Sequence, residues 1–431
     1  MGGITASAET SRNTPSGRLP AGVYLLAFSL FAMGSAEFLL AGVLPAVAAD
    51  LDVTLSSAGF LITAFALGVV IGGPPFAMLS LHWPRRTALV ATQGLFAAGV
   101  VVGLLGDYQV LLLTRVVSGI AYAGFFAVAS VTAISLVTPG RNARASGVVV
   151  SGLSAAMVVG GPAGTLLSHF VQWRGGFWAV VALTAAGIIG CLLGLPATAP
   201  DTRRPSVSRE LATMRKPMLW SMYAITILTT AAYMITFNYL SAMLAEITAV
   251  PEVWIPAILA LFGVGAFVGL SIGGRVSDRR PHLALLTGTA AIVILSVVMA
   301  VVVQQVWAVV PTVFLIGVAA FVLNPAVYGR VFAIAAGAPT LAGATTVSAF
   351  QLGISITPVF AAASLTRGAA LTSVCLIGAG LAATAVPFIL LDRTRQARST
   401  QRAVADPRSA AIRSAHGEVA TTRADPDGDH R

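Results

Sequence analysis

The sequence predicts an all-α integral membrane protein of twelve transmembrane helices in two pseudo-symmetric six-helix bundles. Of 431 residues, 57% are hydrophobic and only 10% charged, with mean hydropathy +0.87, whereas a soluble domain carries about a quarter charged residues. Apolar runs of about 20 residues, the length at which a helix crosses roughly 30 Å of hydrocarbon, recur along most of the chain. Cations gather between alternate runs. The first two observations exclude a soluble enzyme; the third orients the spans.

Residues 1–21 form a polar, basic tail. The apolar run that follows is too long for a signal-peptide core and ends without a suitable cleavage site, so the first helix is expected to be retained. Spans at 23–47, 57–81, 87–106, 110–137, 147–171 and 177–196 make an N-terminal bundle over 22–196. A polar stretch, 197–217, reads as a central loop. Spans at 218–245, 254–276, 283–303, 306–335, 341–365 and 370–391 make a second bundle over 218–391. Residues 392–431 mix Arg, Asp, Ser, Thr and Ala without apolar periodicity and read as a disordered tail.

With the N-terminus in the cytoplasm, the inner loops hold Arg85, Arg86, Arg141, Arg144, Arg203, Arg204, Arg209, Arg215, Lys216, Arg275, Arg279, Arg280 and Arg330. Only Arg174 and Arg367 fall outside, and Arg115 falls within a span. This is the positive-inside pattern, with both tails and the central loop cytoplasmic. Topology therefore accounts for most of the net charge of +10, and no nucleic-acid partner is expected. Cys191 and Cys375 lie in separate apolar runs and the five histidines are scattered, so no metal site is expected. There is no GxxxxGK[ST] loop for ATP. The chain reads as a non-enzyme without a cofactor, whose natural energy source is an ion gradient.

The halves resemble each other at a shift of about 197 positions. Gly68 and Gly72 fall on Gly265 and Gly269, Ser80 on Ser277, and Pro84 on Pro281; Pro162 falls on Pro358 at a shift one smaller. A duplicated six-helix half with a site between the copies is the layout of alternating-access transporters. Chance matching in Gly- and Ala-rich helices is the alternative.

Glu37 is the one carboxylate read well inside a span. At about 1.5 Å per residue it lies roughly 21 Å above Val23, a level that Arg115 also reaches, so the two could meet. Changes in water access can switch a carboxylate in such a setting between protonated and charged forms, which is what proton coupling requires. A static Glu37–Arg115 pair joining two helices is the plainer reading. An arginine in a span normally faces a bundle interior or cavity, with snorkelling to the outer surface as its alternative.

Gly274-Arg275-Val276-Ser277-Asp278-Arg279-Arg280 closes the eighth span. An Asp at a helix end can pair with arginines and a neighbouring helix N-terminus in one state and lose them in another; a solvated loop is the alternative. This stretch resembles the GxxxDR loop signature of the major facilitator superfamily. The first-half copy carries Leu81 where that signature has Asp, so a latch of this type rests on Asp278 and Arg279. Leu111 to Gly119, with Arg115, resembles the superfamily's second motif, an intramembrane arginine associated with proton transfer, although Ser118 replaces the usual Gln. Gly147, Gly152, Gly161, Pro162 and Gly164 match much of the Gly-Pro pattern of antiporters, the closing double glycine being incomplete. Small residues allow close helix contact, and the Gly161-Pro162 break suits a gate where the halves seal; plain packing is the alternative.

These motifs resemble the twelve-span drug/proton antiporter branch of that superfamily over residues 22–391. Gly34-Ser-Ala-Glu-Phe-Leu-Leu-Ala-Gly42, Tyr122 to Ala129, Trp173 to Trp178 and Ala336 to Thr340 look like the actinobacterial chloramphenicol exporters. The resemblance implies proton-coupled efflux of chloramphenicol or a related amphipathic antibiotic. Its partners would be the substrate, protons and membrane lipid, and the chain is expected to act as a monomer. Tyr122, Tyr233, Phe237, Asn238, Tyr239, Asn324 and Gln351 are placed to stack on a ring and bond its polar groups, packing being the plainer reading of each. Export of a sugar, nucleoside or other metabolite, or a non-transporting receptor or scaffold, stays open.

Overall fold

The computed structural model describes residues 19–79, 83–138, 142–196, 212–335 and 339–405. In the first half lie α1 (Ala21–Asp50), α2 (Leu55–Leu79), α3 (Arg85–Leu105), α4 (Tyr108–Ser135) and α5 (Asn142–Ala155). A π-helical turn, Ala156–Gly160, then leads into α6 (Gly161–Gly194). The second half holds α7 (Pro217–Asn238), α8 (Leu240–Glu246), α9 (Ile255–Arg279), α10 (Pro281–Val302), α11 (Val306–Ile334), α12 (Pro339–Leu365) and α13 (Ser373–Ala405).

Eleven stretches among the described residues are long and apolar enough to cross a membrane. One of them, Gly147–Gly194, has 48 residues, about 70 Å of helix, which is two crossings rather than one. The helix breaks inside it: Val171 leaves helical dihedrals and Gln172 stands at φ 60°, ψ 167°. The described residues thus hold the expected twelve spans. The π turn precedes Pro162, which has no N–H to donate, so the fifth crossing is locally widened before α6 resumes.

In lipid, apolar surface gives helices no reason to associate, so close backbone approach at small residues does much of the work. The two halves use the same contacts. A β-carbon at Gly68 or Gly72 would strike the Val116 carbonyl or Ile120 backbone of α4, and one at Gly265 or Gly269 the Phe314 or Val318 carbonyl of α11. In return, a β-carbon at Gly119 would strike the Phe65 carbonyl, and one at Gly317 the Phe262 carbonyl. Gly68 and Gly265, like Phe65 and Phe262, are 197 positions apart and Gly119 and Gly317 are 198, so the α2–α4 and α9–α11 seams are copies.

The halves meet where α2 packs on α12, where α9 packs on the π turn and α6, and where α1 meets α8. Ser241 Oγ donates to the Ala41 carbonyl at 2.7 Å and Thr63 Oγ1 to the Ser355 carbonyl at 2.8 Å. Gly59 sits against Tyr239 and Pro358, and exposed His169 and Glu252 pair at 3.3 Å. These contacts gather toward the end where α1 finishes and α2 begins, so the seal between the halves lies on the Asp50 side.

Two expectations are corrected. The chain does not lose order at Asp392: α13 continues to Ala405. Arg330, counted with the inner loops, is instead buried within α11. Both departures have one cause. The Asp392 carboxylate, fully buried, accepts from Arg330 Nε at 3.1 Å and Nη2 at 2.9 and 3.0 Å. It also lies 2.9 Å from His282 Nε2 on α10. A buried charge is tolerated when paired and hydrogen-bonded, and a reading of apolar periodicity stops where the first charges appear. Glu37 is therefore not the one buried carboxylate. Residues 80–82, 139–141, 197–211, 336–338 and 406–431 lie outside the described residues, as does the Asp278 side chain.

Candidate functional site

α1 buries Met33, Gly34, Ser35 and Ala36, while Glu37 keeps partial exposure in the middle of the molecule. Its carboxylate accepts a hydrogen bond from Gln351 Nε2 of α12 at 3.3 Å, a bond that crosses between the halves. Gln351 is itself buried, and its Oε1 has no partner among the described residues.

Arg115 on α4 is 4% exposed. Its Nε donates to the Leu61 carbonyl of α2 at 3.3 Å, and its guanidinium lies 4.5 Å from the Phe65 ring centre. Glu37 and Arg115 feel each other's charge, but among the described residues they form no ion pair. The expected meeting is corrected to a longer-range interaction, because α2 supplies a carbonyl and a ring face that hold the guanidinium first. Nη1 of Arg115 is without a partner among the described residues, and Arg115 and Ser118 line a small apolar pocket formed also by Leu40, Gly99, Trp173 and Phe177.

The aromatic and amide candidates separate into two groups. Tyr122 packs on Phe65 with ring centres 5.6 Å apart, and Tyr233 on Phe321 at 5.8 Å. The Tyr122 hydroxyl lies beside Gly34, one turn from Glu37 on α1. Asn324 is half-buried on α11. Phe237, Asn238 and Tyr239 sit instead at the seal. Phe237 lies edge-on to Phe38 across the halves at 6.3 Å, and Asn238 donates to Thr357 Oγ1 at 2.9 Å. Tyr239 abuts Gly59.

Gly161 and Pro162 are buried, and the glycine face of the fifth crossing packs on α1 of its own half. Gly152 lies against Ala27, Gly160 against Ser35, Gly161 against Phe38 and Gly164 against Leu39. The contact across the halves comes from Val158, seated on Gly263 of α9. Arg279 lies at the end of α9.

Sequence reasoning missed Tyr328, Phe332 and Phe350. Tyr328 lies 5.6 Å from Phe350 and 6.2 Å from Phe332, nearly parallel to the latter at 24°. The available signal was the spacing Asn324, Tyr328, Phe332, one helical face at intervals of four.

Two copied six-helix bundles closing around a membrane-embedded carboxylate define the architecture of a multi-pass membrane transporter. The chain belongs to the Major Facilitator Superfamily, whose sequence pattern matches residues 26–358. It is 38% identical over 351 residues to a chloramphenicol resistance protein of Streptomyces lividans, covering 80% of this chain and 90% of that one. It is 30% identical over 372 residues to the inner membrane transport protein YdhP of Escherichia coli K12, covering 86% and 95%. Among solved structures, a point mutant of the nucleoside transporter NupG superposes with TM-score 0.70 at 14% identity, over 86% of this chain and 99% of that one. An inward-facing, occupied bacterial homolog of the human lysosomal transporter Spinster does so with TM-score 0.66 at 17% identity, over 88% and 98%. At those identities the two structures speak for the fold.

Proposed function

We propose that the protein exports a small amphipathic drug, chloramphenicol or a related antibiotic, in exchange for protons. It would work by alternating access as a monomer in the bacterial cytoplasmic membrane, with both termini inside. The observation that carries the reading is the Glu37–Gln351 bond, which ties a membrane-embedded carboxylate to the opposite half. A carboxylate so placed has a different number of partners in the two states of a rocking transporter, and its protonation is thereby linked to the state. When the halves part on the Asp50 side, outer water reaches Glu37 and delivers a proton. When they close, substrate bound between Tyr122, Tyr233, Asn324 and Gln351 competes with that proton, which leaves toward the cytoplasm. Arg115, cationic and close by, balances the charge left on the carboxylate and keeps the exchange reversible.

Each proton entering through about 100 mV supplies roughly 2.3 kcal/mol for a substrate molecule expelled. Asp278 and Arg279 act as the cytoplasmic latch, and the Gly161-Pro162 bend lets the fifth crossing follow the motion. The 38% identical resistance protein supports the choice of drug. The test is radiolabelled chloramphenicol accumulation in cells expressing the intact protein or Glu37→Gln, with and without a protonophore. Low accumulation that both the substitution and the protonophore abolish is expected. Accumulation equal to that of empty cells, with the protein in the membrane, would discard the drug and leave a metabolite exporter.

A further inference from the structure

The Asn324, Tyr328, Phe332 face of α11 has no place in the scheme above except at its upper end. Arg330, between Tyr328 and Phe332, points to Asp392 and the α10–α13 side. Residues two positions away on a helix point to nearly the opposite side, so Tyr328 and Phe332 face away from that cluster. Tyr328 packs on Phe350 of α12, whose neighbour Gln351 bonds to Glu37 across the halves, so the ring faces the chamber where the halves meet.

Tyr328 remains partly exposed there and Phe332 is 41% exposed, while Val327, Arg330 and Val331 on the other faces of the same turns are buried. The rings of Tyr328, Phe332 and Phe350 form a ladder with centre separations of 5.6 and 6.2 Å. α11 runs from the sealed side inward, so the ladder lies on the N-terminal-tail side of Glu37. Its top adjoins two amides: Gln351, next in sequence to Phe350, with a buried unpartnered Oε1, and Asn324, one turn from Tyr328.

We infer that Tyr328, Phe350 and Phe332 form a docking subsite for the aromatic ring of the transported compound. The ring's polar arm extends past Phe350 to Gln351 and Asn324. The inference rests on the export reading and deepens it. The cargo is a planar ring carrying a neutral hydrogen-bonding arm, taken up ring-first from the inner side. Parallel and tilted ring pairs at these separations are favourable beyond the area they bury, so loss of one partner ring weakens an aromatic ligand about three- to tenfold. A saturated ring gains only the burial.

The experiment is equilibrium binding of chloramphenicol, and of its analogue with a cyclohexyl ring in place of the phenyl ring, to the purified full-length protein in detergent. Wild type is expected to favour the aromatic compound about tenfold. Tyr328→Leu and Phe350→Leu are expected to lose most of that preference, while Tyr328→Phe, which keeps the ring, retains it. Undiminished preference in both leucine variants overturns the subsite and leaves the export reading intact. Wild type that binds neither compound overturns the export reading, and the subsite with it.

Discussion

Removal of the Asp392 carboxylate tests the energetic reasoning most directly. Asp392→Ala leaves the Arg330 guanidinium, 9% exposed, without its bidentate partner and His282 without its acceptor. Breaking a buried pair from one side costs about 3–5 kcal/mol, chiefly the penalty of an uncompensated buried charge. Unfolding entropy near 2.1 cal/mol/K per residue over 431 residues gives about 0.9 kcal/mol/K. The melting temperature should therefore fall by about 3–6 °C if the whole chain melts together, and by about twice that if the second bundle melts alone. Cys191 and Cys375 are both free and buried, so a thiol-reactive fluorophore reports the transition without added labels. The double variant Asp392→Leu/Arg330→Met should recover most of the loss, since a matched apolar replacement removes both charges. A single variant that melts with wild type, or a double variant no better than the single, would refute the account of Asp392 as a paired buried charge that holds α13.

Three further outcomes follow from the same geometry. At a pH alkaline enough that Glu37 is mostly ionised, Gln351→Ala should raise its carbodiimide labelling about fivefold, the factor for one hydrogen bond of ~1 kcal/mol, with Glu37→Gln as the unlabelled control; mass spectrometry of the α1 peptide reads it. Gly119→Val and Gly317→Val should each lower thermal stability by about 1–3 kcal/mol and by similar amounts, because each forces the same copied seam apart; melting curves showing only one affected would break the equivalence of the halves. Tyr239→Phe should leave chloramphenicol efflux unchanged and stability within about 0.5 kcal/mol, because its hydroxyl has no partner among the described residues and lies at the seal; lost efflux would return Tyr239 to the substrate site.

Span count, duplication and the carboxylate midway along α1 were legible because lipid imposes length and composition on every crossing. The glycine correspondences were legible too, since a copied seam must keep its small residues. What could not be read was lateral pairing. Arg115 and Glu37 stand at one level, but only the position of α2 reveals that Leu61 and Phe65 engage the guanidinium first. Asp392 resembled the start of a polar tail because its partner Arg330 is 62 positions away. Tyr239 and Tyr328 are both tyrosines in apolar runs; a helix break at Tyr239 turns one toward the seal, while an unbroken α11 leaves the other facing the chamber.

The two hydroxyl bonds that close the Asp50 side share a property with evolutionary weight. Ser241 and Thr63 donate to main-chain oxygens, those of Ala41 and Ser355, and every residue type carries such an oxygen. The acceptor positions are thus free to drift without undoing closure, and the chamber behind them can be relined by mutation while the door continues to shut. A lineage with such a door can change its cargo one pocket residue at a time, each intermediate still a working machine.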